Sequence, residues 1–124
     1  MTQRLGFIGL GNLGFHLASS LRRAGFELTV HDLSKAAAAP LLAAGAQWAD
    51  SAQAVAQQCD SVFTCLPSSK AVSIVVSGEK GILAGLKPGG TWIDMSTNDR
   101  TETLRLAALA AEKGCNALES PVTG

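Results

Sequence analysis

Residues 4–14 read RLGFIGLGNLG, an apolar run that passes directly into the glycine pattern G-x-G-x-x-G. The apolar run is typical of a buried strand, which we predict over residues 4–9. A helix is predicted over residues 12–24, because leucine recurs at every fourth position from Leu13 to Leu21 and so marks one helical face. This strand, glycine turn and helix together predict the start of an α/β fold.

The three glycines of the pattern have different physical reasons to lack a side chain. Gly9 permits a tight turn out of the strand, Gly11 lets a phosphate approach the backbone, and Gly14 lets the helix pack closely on the strand. The free N–H groups and the dipole at the start of the helix favour an anion at the same place. We therefore predict that a dinucleotide pyrophosphate binds to Gly9, Leu10, Gly11, Asn12, Leu13 and Gly14.

An acidic residue at the end of the second predicted strand fits the same interpretation. The strand is predicted over residues 27–32, and Asp32 stands 18 positions after Gly14. A carboxylate there accepts hydrogen bonds from an adenosine ribose and repels a 2′-phosphate, which predicts NAD as the cofactor. Ser34 and Lys35 follow at once, and their hydroxyl and ammonium groups suit a 2′-phosphate, so NADP stays open. A plain strand-to-helix turn with a surface aspartate is the structural alternative.

The rest of the chain alternates between short strand patterns and helix patterns. Strands are predicted over 46–48, 61–66, 91–95 and 115–120, and helices over 51–58, 68–76 and 99–113, with short helical segments after Ser34 and at 82–86. Thr97 or Asn98 is expected to cap the last long helix. Since this alternation requires right-handed crossovers, we predict a Rossmann-type doubly wound α/β fold, with a mostly parallel sheet and helices on both faces.

Composition excludes several classes of protein. The 124 residues predict one domain, 1–124, and ten basic residues balance ten acidic ones, which argues against a nucleic-acid surface. No apolar segment reaches the roughly 20 residues that span a bilayer, and no signal peptide is recognisable, so we expect no membrane partner and a cytoplasmic location. Cys59, Cys65 and Cys115 form no C-x-x-C pair, so we expect three buried thiols and no metal site.

Four segments together resemble the β-hydroxyacid dehydrogenase family, the group of 3-hydroxyisobutyrate dehydrogenase and tartronate semialdehyde reductase. The first is GFIGLGNLG at 6–14, which is followed by Asp32. The others are TCLP at 64–67, DMST at 94–97 and ESPVTG at 119–124. They are similar to the family's strand-end Leu-Pro, its Asp-x-Ser-Thr turn and its substrate loop, and they keep the family order along the whole chain.

The resemblance implies roles for residues that follow the later strands. Leu66 and Pro67 are expected at the nicotinamide-side ribose, and Thr97 near the nicotinamide. Three residues are expected to bind the substrate: Ser96, Thr123 and Gly124. All of them follow the carboxyl ends of predicted strands, where ligands bind in open parallel sheets. The structural alternatives are a strand terminator at Pro67, helix caps at Ser96 and Thr97, and an ordinary loop hydroxyl at Thr123.

No catalytic residue is predicted within the 124 residues. By resemblance the family uses a lysine as acid–base group, on a helix that we expect after Gly124, in an all-helical domain. His16 is expected at the helix surface and His31 on the adenosine side or in solvent, because neither has a recognisable acidic partner. The chain is therefore interpreted as the cofactor-binding part of a larger dehydrogenase, truncated and inactive by itself.

For the full-length protein, the resemblance implies hydride transfer between a small β-hydroxy acid and a nicotinamide cofactor, in a homo-oligomer. Family positions at which this chain differs, such as Arg100 in place of a proline, leave the identity of the hydroxy acid open. Two other functions also stay open. One is a non-catalytic dinucleotide-sensing or protein-interaction module on the same fold. The other is an S-adenosylmethionine-dependent methyltransferase, which also places a glycine loop after its first strand.

Overall fold

The computed structural model describes residues 3–120, in which strands and helices alternate along the chain. The strands are β1 (Arg4–Ile8), β2 (Glu27–His31), β3 (Gln47–Trp48), β4 (Ser61–Thr64), β5 (Thr91–Asp94) and β6 (Asn116–Glu119). The helices are α1 (Asn12–Arg23), α2 (Ala39–Ala43), α3 (Ala52–Gln58), α4 (Ser69–Ser77), α5 (Ile82–Gly85) and α6 (Arg100–Glu112), with a 3₁₀ turn (Lys35–Ala38) before α2. Every predicted strand is present, and its ends lie within two residues of the prediction.

The six strands form one parallel sheet in the order β3-β2-β1-β4-β5-β6. Within β1, Leu5 pairs with Leu28 of β2 on one side and with Ser61 of β4 on the other. The chain runs outward through β2 and β3 and then returns to the other side of β1, so the strand order reverses between β1 and β4. The predicted doubly wound α/β fold is confirmed, and the carboxyl ends of β1 and β4 mark the expected place for a ligand.

Helices cover the two faces of the sheet. Side chains alternate between faces along a strand, and in β1 they join two separate apolar clusters. Leu5 and Phe7 pack in the cluster that includes residues of α1, the 3₁₀ turn and α2. Ile8 packs in the cluster that includes α3, α4, α5 and α6. Gly6 points to the second face, where a Cβ would press on Val55, so this glycine lets α3 approach the sheet closely.

The helix α1 packs through its small residues rather than through its leucines. Its buried residues are Gly14 and Ala18, whereas Leu17 and Leu21 are only partly buried and Leu13 is 44% exposed. The leucines predicted the helix correctly because their spacing of four residues is close to the period of an α-helix. The face of α1 that packs in the core lies beside the leucines and carries Gly14 and Ala18, whose small size lets the helix approach β1.

The cap predicted for the last helix is wrong. The helix α6 begins at Arg100 with Asp99 as its N-cap, rather than with Thr97 or Asn98. The Asp99 N–H donates to Ser69 Oγ and also to Asn98 Oδ1, at 2.9 Å in each case. The bond to Ser69 ties the start of α6 to the start of α4, and this tertiary contact is invisible to a local sequence pattern.

Two of the three cysteines are buried as predicted, and the third is not. Cys59 and Cys115 are buried, whereas Cys65 is partly exposed at the carboxyl edge of the sheet. The prediction for Cys65 is wrong because β4 ends at Thr64, one residue before it. Burial raises the pKa of Cys59 to about 11 and also raises the pKa of Cys65 and Cys115, so each thiol stays protonated at neutral pH.

Candidate functional site

A cleft of about 810 Å³ opens at the carboxyl ends of β1, β2 and β4. Its walls come from the glycine turn after β1, from the end of β2 and from the segment between β4 and α4. A cleft at the point where the strand order reverses is where ligands bind in doubly wound folds. The structure thus brings together three features of the sequence that are far apart along the chain, namely the glycine turn, Asp32 and the Leu66–Pro67 pair.

Close backbone contacts shape the glycine turn. Gly9 has a φ of +101°, and a Cβ there would collide with the carbonyl oxygen of Cys65. A Cβ on Gly14 would collide with the carbonyl oxygen of Gly9, whereas a Cβ on Gly11 would meet nothing within 4 Å. Gly9 and Gly14 are therefore required by the conformation of the turn, and Gly11 leaves room for a ligand in front of the backbone.

The helix α1 presents an open N-terminus to the cleft. Its N-cap is Gly11, which has no side chain to bond the first amides, and its first turn carries no acidic residue. The first intrahelical bond runs from Phe15 N–H to Gly11 O at 2.8 Å, so the amides of residues 12–14 have no partner within the helix. These donors, the helix dipole and the open space at Gly11 fit a pyrophosphate group.

Asp32 is partly buried in the cleft, and backbone amides hold its carboxylate. Oδ1 accepts a hydrogen bond from Leu10 N–H at 2.9 Å, and Oδ2 accepts one from Ser34 N–H at 3.0 Å. These bonds tie the end of β2 to the glycine turn and fix the direction of the carboxylate. Each carboxylate oxygen keeps a further lone pair, so Asp32 still has the capacity to accept a ribose hydroxyl.

His31, Trp48 and Lys35 lie together next to Asp32. His31 Nδ1 donates to the carbonyl oxygen of Ala49 at 2.9 Å, and its ring centroid is 5.3 Å from that of Trp48. Lys35 Nζ lies over the Trp48 ring, 5.6 Å from its centroid. His31 lines the cleft, whereas the Lys35 ammonium is engaged with the indole ring and Lys35 is absent from the lining.

A second wall of the cleft is formed by Leu66 and Pro67. Leu66 N–H donates to Ser96 Oγ at 2.8 Å, so this amide bonds a side chain rather than a neighbouring strand. For this reason β4 ends at Thr64, two residues earlier than predicted. Pro67 has no N–H, and Ser68 directly after it caps α4. The chain therefore leaves the sheet at Leu66 and turns along the edge of the cleft.

Two residues with a predicted role, Ser96 and Thr97, lie outside the lining of the cleft. Ser96 is only 3% exposed and sits behind Leu66, to which it is hydrogen-bonded. Thr97 is exposed beyond the end of β5. Thr123 and Gly124 lie outside the described residues. Their roles toward nicotinamide or substrate stay predictions.

An apolar part of the lining was assigned no role from the sequence. It consists of Ala71, Ile74 and Val75 on α4, together with Leu33 and Ala37. Ile74 is 60% exposed and Leu33 is fully exposed, which is unusual for large apolar side chains. The signal that could have revealed them is the leucine directly after Asp32 and the apolar residues of α4 that lie off its core-facing stripe.

Residues 3–120 contain neither a membrane-spanning helix nor a cluster of metal-ligating side chains. None of the helices in this range is long and apolar enough to cross a membrane. The same residues contain no group of three or more His, Cys, Asp or Glu side chains placed to hold a metal ion.

An open helix N-terminus over a glycine turn, at the reversal point of a parallel sheet, defines a dinucleotide-binding domain of the Rossmann class. Residues 4–124 match the family of the NAD-binding domain of 6-phosphogluconate dehydrogenase. Since the match covers nearly the whole chain, the protein belongs to this family. The family match agrees with the predicted dinucleotide cofactor and gives no support to the methyltransferase alternative.

Two curated relatives are dehydrogenases that match nearly all of the chain. The chain is 39% identical over 121 residues to 2-(hydroxymethyl)glutarate dehydrogenase of Eubacterium barkeri, covering 98% of the chain and 40% of that protein. It is 38% identical over 122 residues to NAD-dependent L-serine dehydrogenase of Pseudomonas aeruginosa, covering 98% of the chain and 41% of that protein. The chain therefore spans about two fifths of the length of these relatives.

Two solved structures share the fold of the chain. Mycobacterium tuberculosis 3-hydroxyisobutyrate dehydrogenase with L-serine superposes with a TM-score of 0.89 at 31% identity, over 100% of this chain and 42% of the other. Psf3 in complex with NADP+ and 2-OPP superposes with a TM-score of 0.90 at 32% identity, over 97% of this chain and 43% of the other. The predicted resemblance to 3-hydroxyisobutyrate dehydrogenase-like proteins is confirmed.

Proposed function

We propose that the chain is the cofactor-binding domain of an oxidoreductase that transfers a hydride between a small β-hydroxy acid and a nicotinamide cofactor. The observation that carries this proposal is the open N-terminus of α1 at Gly11, which faces the same cleft as Asp32. The names of two relatives contain 2-(hydroxymethyl)glutarate and L-serine, each of which has a hydroxyl on the carbon β to a carboxylate. This shared chemistry supports a β-hydroxy acid as the substrate class.

Each part of the dinucleotide has candidate contacts along the cleft. The pyrophosphate is assigned to the turn Gly9, Leu10, Gly11, Asn12, Leu13 and Gly14, and the adenosine ribose to Asp32. The nicotinamide-side ribose is assigned to Leu66 and Pro67, with Thr97 near the ring. A bound nicotinamide supplies the hydride acceptor, and the residues of this chain bind and orient it. Substrate contacts are assigned to Thr123 and Gly124, whereas the buried Ser96 hydroxyl is bonded to the Leu66 amide rather than directed into the cleft.

Residues 1–124 are proposed as one domain that needs the rest of the full-length protein for catalysis. The relatives are more than twice as long as the matched region. We assign the acid–base lysine and an all-helical domain to the additional length, so the 124 residues bind dinucleotide without turning over substrate. A cytoplasmic location and a homo-oligomer of the full-length protein belong to the same proposal.

NAD is proposed as the preferred cofactor. The Asp32 carboxylate is fixed at the end of β2 by two backbone amides, and a 2′-phosphate placed beside it would be repelled. The nearest lysine in sequence, Lys35, lies with its ammonium over the Trp48 ring and does not line the cleft. A solved structure with the same fold has NADP+ bound, so the fold by itself does not select NAD. We therefore assign the preference for NAD over NADP to the side chains at the end of β2.

Titration of the chain with NADH and NADPH tests the assignment. We expect NADH to bind more tightly, and Asp32→Asn to reduce this preference by about tenfold, which corresponds to roughly 1.4 kcal/mol. Asp60→Asn is the matched control, because Asp60 Oδ2 accepts the Arg4 N–H at 3.1 Å at the other end of the strands. An unchanged preference in the Asp32 variant contradicts the role of Asp32, and binding of S-adenosylmethionine in place of NADH contradicts the whole proposal.

Turnover by the full-length protein tests the reaction. We expect NAD-dependent oxidation of β-hydroxy acids by the full-length protein and none by residues 1–124. Steady turnover by the 124 residues would contradict the assignment of the acid–base group to the rest of the protein. Tight NADH binding without turnover of any β-hydroxy acid by the full-length protein would favour the non-catalytic dinucleotide-sensing module.

A further inference from the structure

A buried hydrogen-bond network joins the ends of β4 and β5 directly behind Leu66. Its side chains, Thr64, Trp92, Asp94 and Ser96, are each at most 3% exposed. Trp92 Nε1–H donates to Thr64 Oγ1 at 2.9 Å, and the Thr64 hydroxyl donates to Asp94 Oδ1 at 3.0 Å. Ser96 N–H donates to the same Asp94 Oδ1, also at 3.0 Å. The network therefore converges on one carboxylate oxygen.

The chemistry of the groups fixes the direction of each bond. The Trp92 indole N–H only donates, so Thr64 Oγ1 accepts it and uses its own proton for Asp94. Asp94 Oδ2 is buried and has no hydrogen-bond partner within residues 3–120. A buried carboxylate with one unpartnered oxygen costs free energy of folding, so stability alone does not explain why an aspartate occupies this position.

The network ends at the wall of the cleft. Ser96 Oγ accepts the Leu66 N–H at 2.8 Å, while the preceding amide, Cys65 N–H, still bonds to Ile8 O in the sheet at 3.0 Å. Leu66 in turn packs against the glycine turn, since a Cβ on Gly9 would lie 3.0 Å from Leu66 Cδ2. Ser96 thus holds the first amide that leaves the sheet, and with it the position of Leu66 in the cleft wall.

We propose that Ser96 and Asp94 are positioning residues for the nicotinamide side of the cleft. Ser96 orients the Leu66 amide, and Asp94 orients Ser96 through its backbone N–H. Neither residue lines the cleft, so both act through Leu66. This inference rests on the proposed function, because it assigns the Leu66 wall to the nicotinamide half of the cofactor. Leu66 touches the glycine turn at Gly9, but the bonds that fix Asp32 come from the Leu10 and Ser34 amides and do not involve Ser96 or Asp94, so we expect the nicotinamide half to be affected far more than the adenosine half.

The test compares Ser96→Ala with Ser51→Ala in binding of NADH and of ADP, which lacks the nicotinamide half. Ser51 is the matched control because its Oγ also accepts a backbone amide, Ala54 N–H at 3.0 Å, at a site outside the cleft lining. Loss of one such hydrogen bond is expected to weaken NADH binding by about tenfold in Ser96→Ala. ADP binding by this variant, and binding of either ligand by Ser51→Ala, should change by less than about twofold.

Asp94 is tested by a conservative and a disruptive substitution. In Asp94→Asn the amide oxygen still accepts from Thr64 and Ser96, so this variant should bind NADH like the wild type. Asp94→Ala removes the acceptor and should show the same selective loss of NADH binding as Ser96→Ala. A merely structural role would instead lower NADH and ADP binding together. If Asp94→Ala does not fold, the comparison of Ser96→Ala with Ser51→Ala decides the outcome alone.

The outcomes separate this inference from the proposed function. Selective loss of NADH binding in Ser96→Ala, with retention in Asp94→Asn, supports the positioning role. If Ser96→Ala loses NADH and ADP binding equally, or loses neither, the positioning role is overturned. The proposed function still stands in that case, provided that the wild-type chain binds NADH. A wild-type chain that binds neither NADH nor ADP overturns the proposed function, and this inference with it.

Discussion

The two walls of the cleft are built by opposite means. On the β1 and β2 side, glycines leave backbone amides open, and a Cβ at Gly11 would meet empty space. On the β4 and β5 side, the amide of Leu66 is already bonded to the buried Ser96 hydroxyl. The first wall therefore offers its own backbone groups to a ligand, whereas the second wall presents a surface that buried side chains hold in position.

This difference separates two ways of making a binding site. The open backbone depends mainly on features that are close in sequence, since the glycines and the helix that they start are adjacent, although Gly9 also lies against the Cys65 carbonyl oxygen. A supported wall needs residues that are distant in sequence, because Leu66 and Ser96 are 30 positions apart. We therefore expect substitutions in the first wall to affect every phosphate-containing ligand and substitutions behind the second wall to affect mainly the nicotinamide half.

The largest expected effect is that of Gly9→Ala, which would break the first wall itself. The positive φ and the collision with the Cys65 carbonyl oxygen both oppose a side chain, so we expect a loss of about 3 kcal/mol in the free energy of unfolding. Gly25→Ala is the control, because Gly25 has a φ of +95° but open space around its Cβ position. Urea unfolding should show a loss of only about 1 kcal/mol there, and equal losses in the two variants would contradict a role for the collision.

A more selective effect is expected from Gly11→Ala. Gly11 has a φ of −66° and a ψ of −175°, which alanine adopts without strain, so stability should fall by no more than about 1 kcal/mol. The new methyl group would stand where the pyrophosphate is expected, and ADP and NADH binding should weaken together by more than about tenfold. Calorimetric titration provides the measurement. Retained ADP binding would show that the phosphates bind elsewhere in the cleft.

The smallest effect concerns Cys65, on the second wall. Burial and the nearby Asp94 charge raise the pKa of its thiol, so its reaction with a thiol reagent should be slow at neutral pH and accelerate as alkaline pH increases the thiolate fraction. NADH should slow the reaction, since Cys65 lines the cleft. Cys65→Ala should lack this reaction because Cys59 and Cys115 are buried. A rate unaffected by saturating NADH would mean that the cofactor leaves this wall uncovered.

The fold and the first wall were predictable from the sequence for a physical reason. The pattern of Gly9, Gly11 and Gly14 follows from backbone geometry within six residues, and Asp32 follows from the end of the next strand. Alternation of strands and helices then leaves few ways to connect a parallel sheet. Sequence patterns were therefore sufficient to predict those parts of the fold and the cleft whose contacts are close in sequence or follow from the order of the strands.

The second wall was only partly predictable. Leu66 and Pro67 were identified by resemblance, but Ser96 was assigned to the substrate, and its hydrogen bond to Leu66 became visible only in the structure. The same holds for Asp99, whose amide bonds to Ser69 on another helix. These contacts depend on the packing of β4 beside β5 and of α4 beside α6, which no local sequence signal specifies.

The sheet order also bears on how the protein acquires its binding activity as it folds. Leu5 meets Leu28, 23 positions along the chain, but its other partner, Ser61, is 56 positions away. Closing the longer loop costs more chain entropy, and contacts between distant segments form slowly. The cleft exists only after β4 has docked beside β1, so nascent or partly folded chains lack it. Cofactor fluorescence during refolding would therefore report the docking of β4 beside β1.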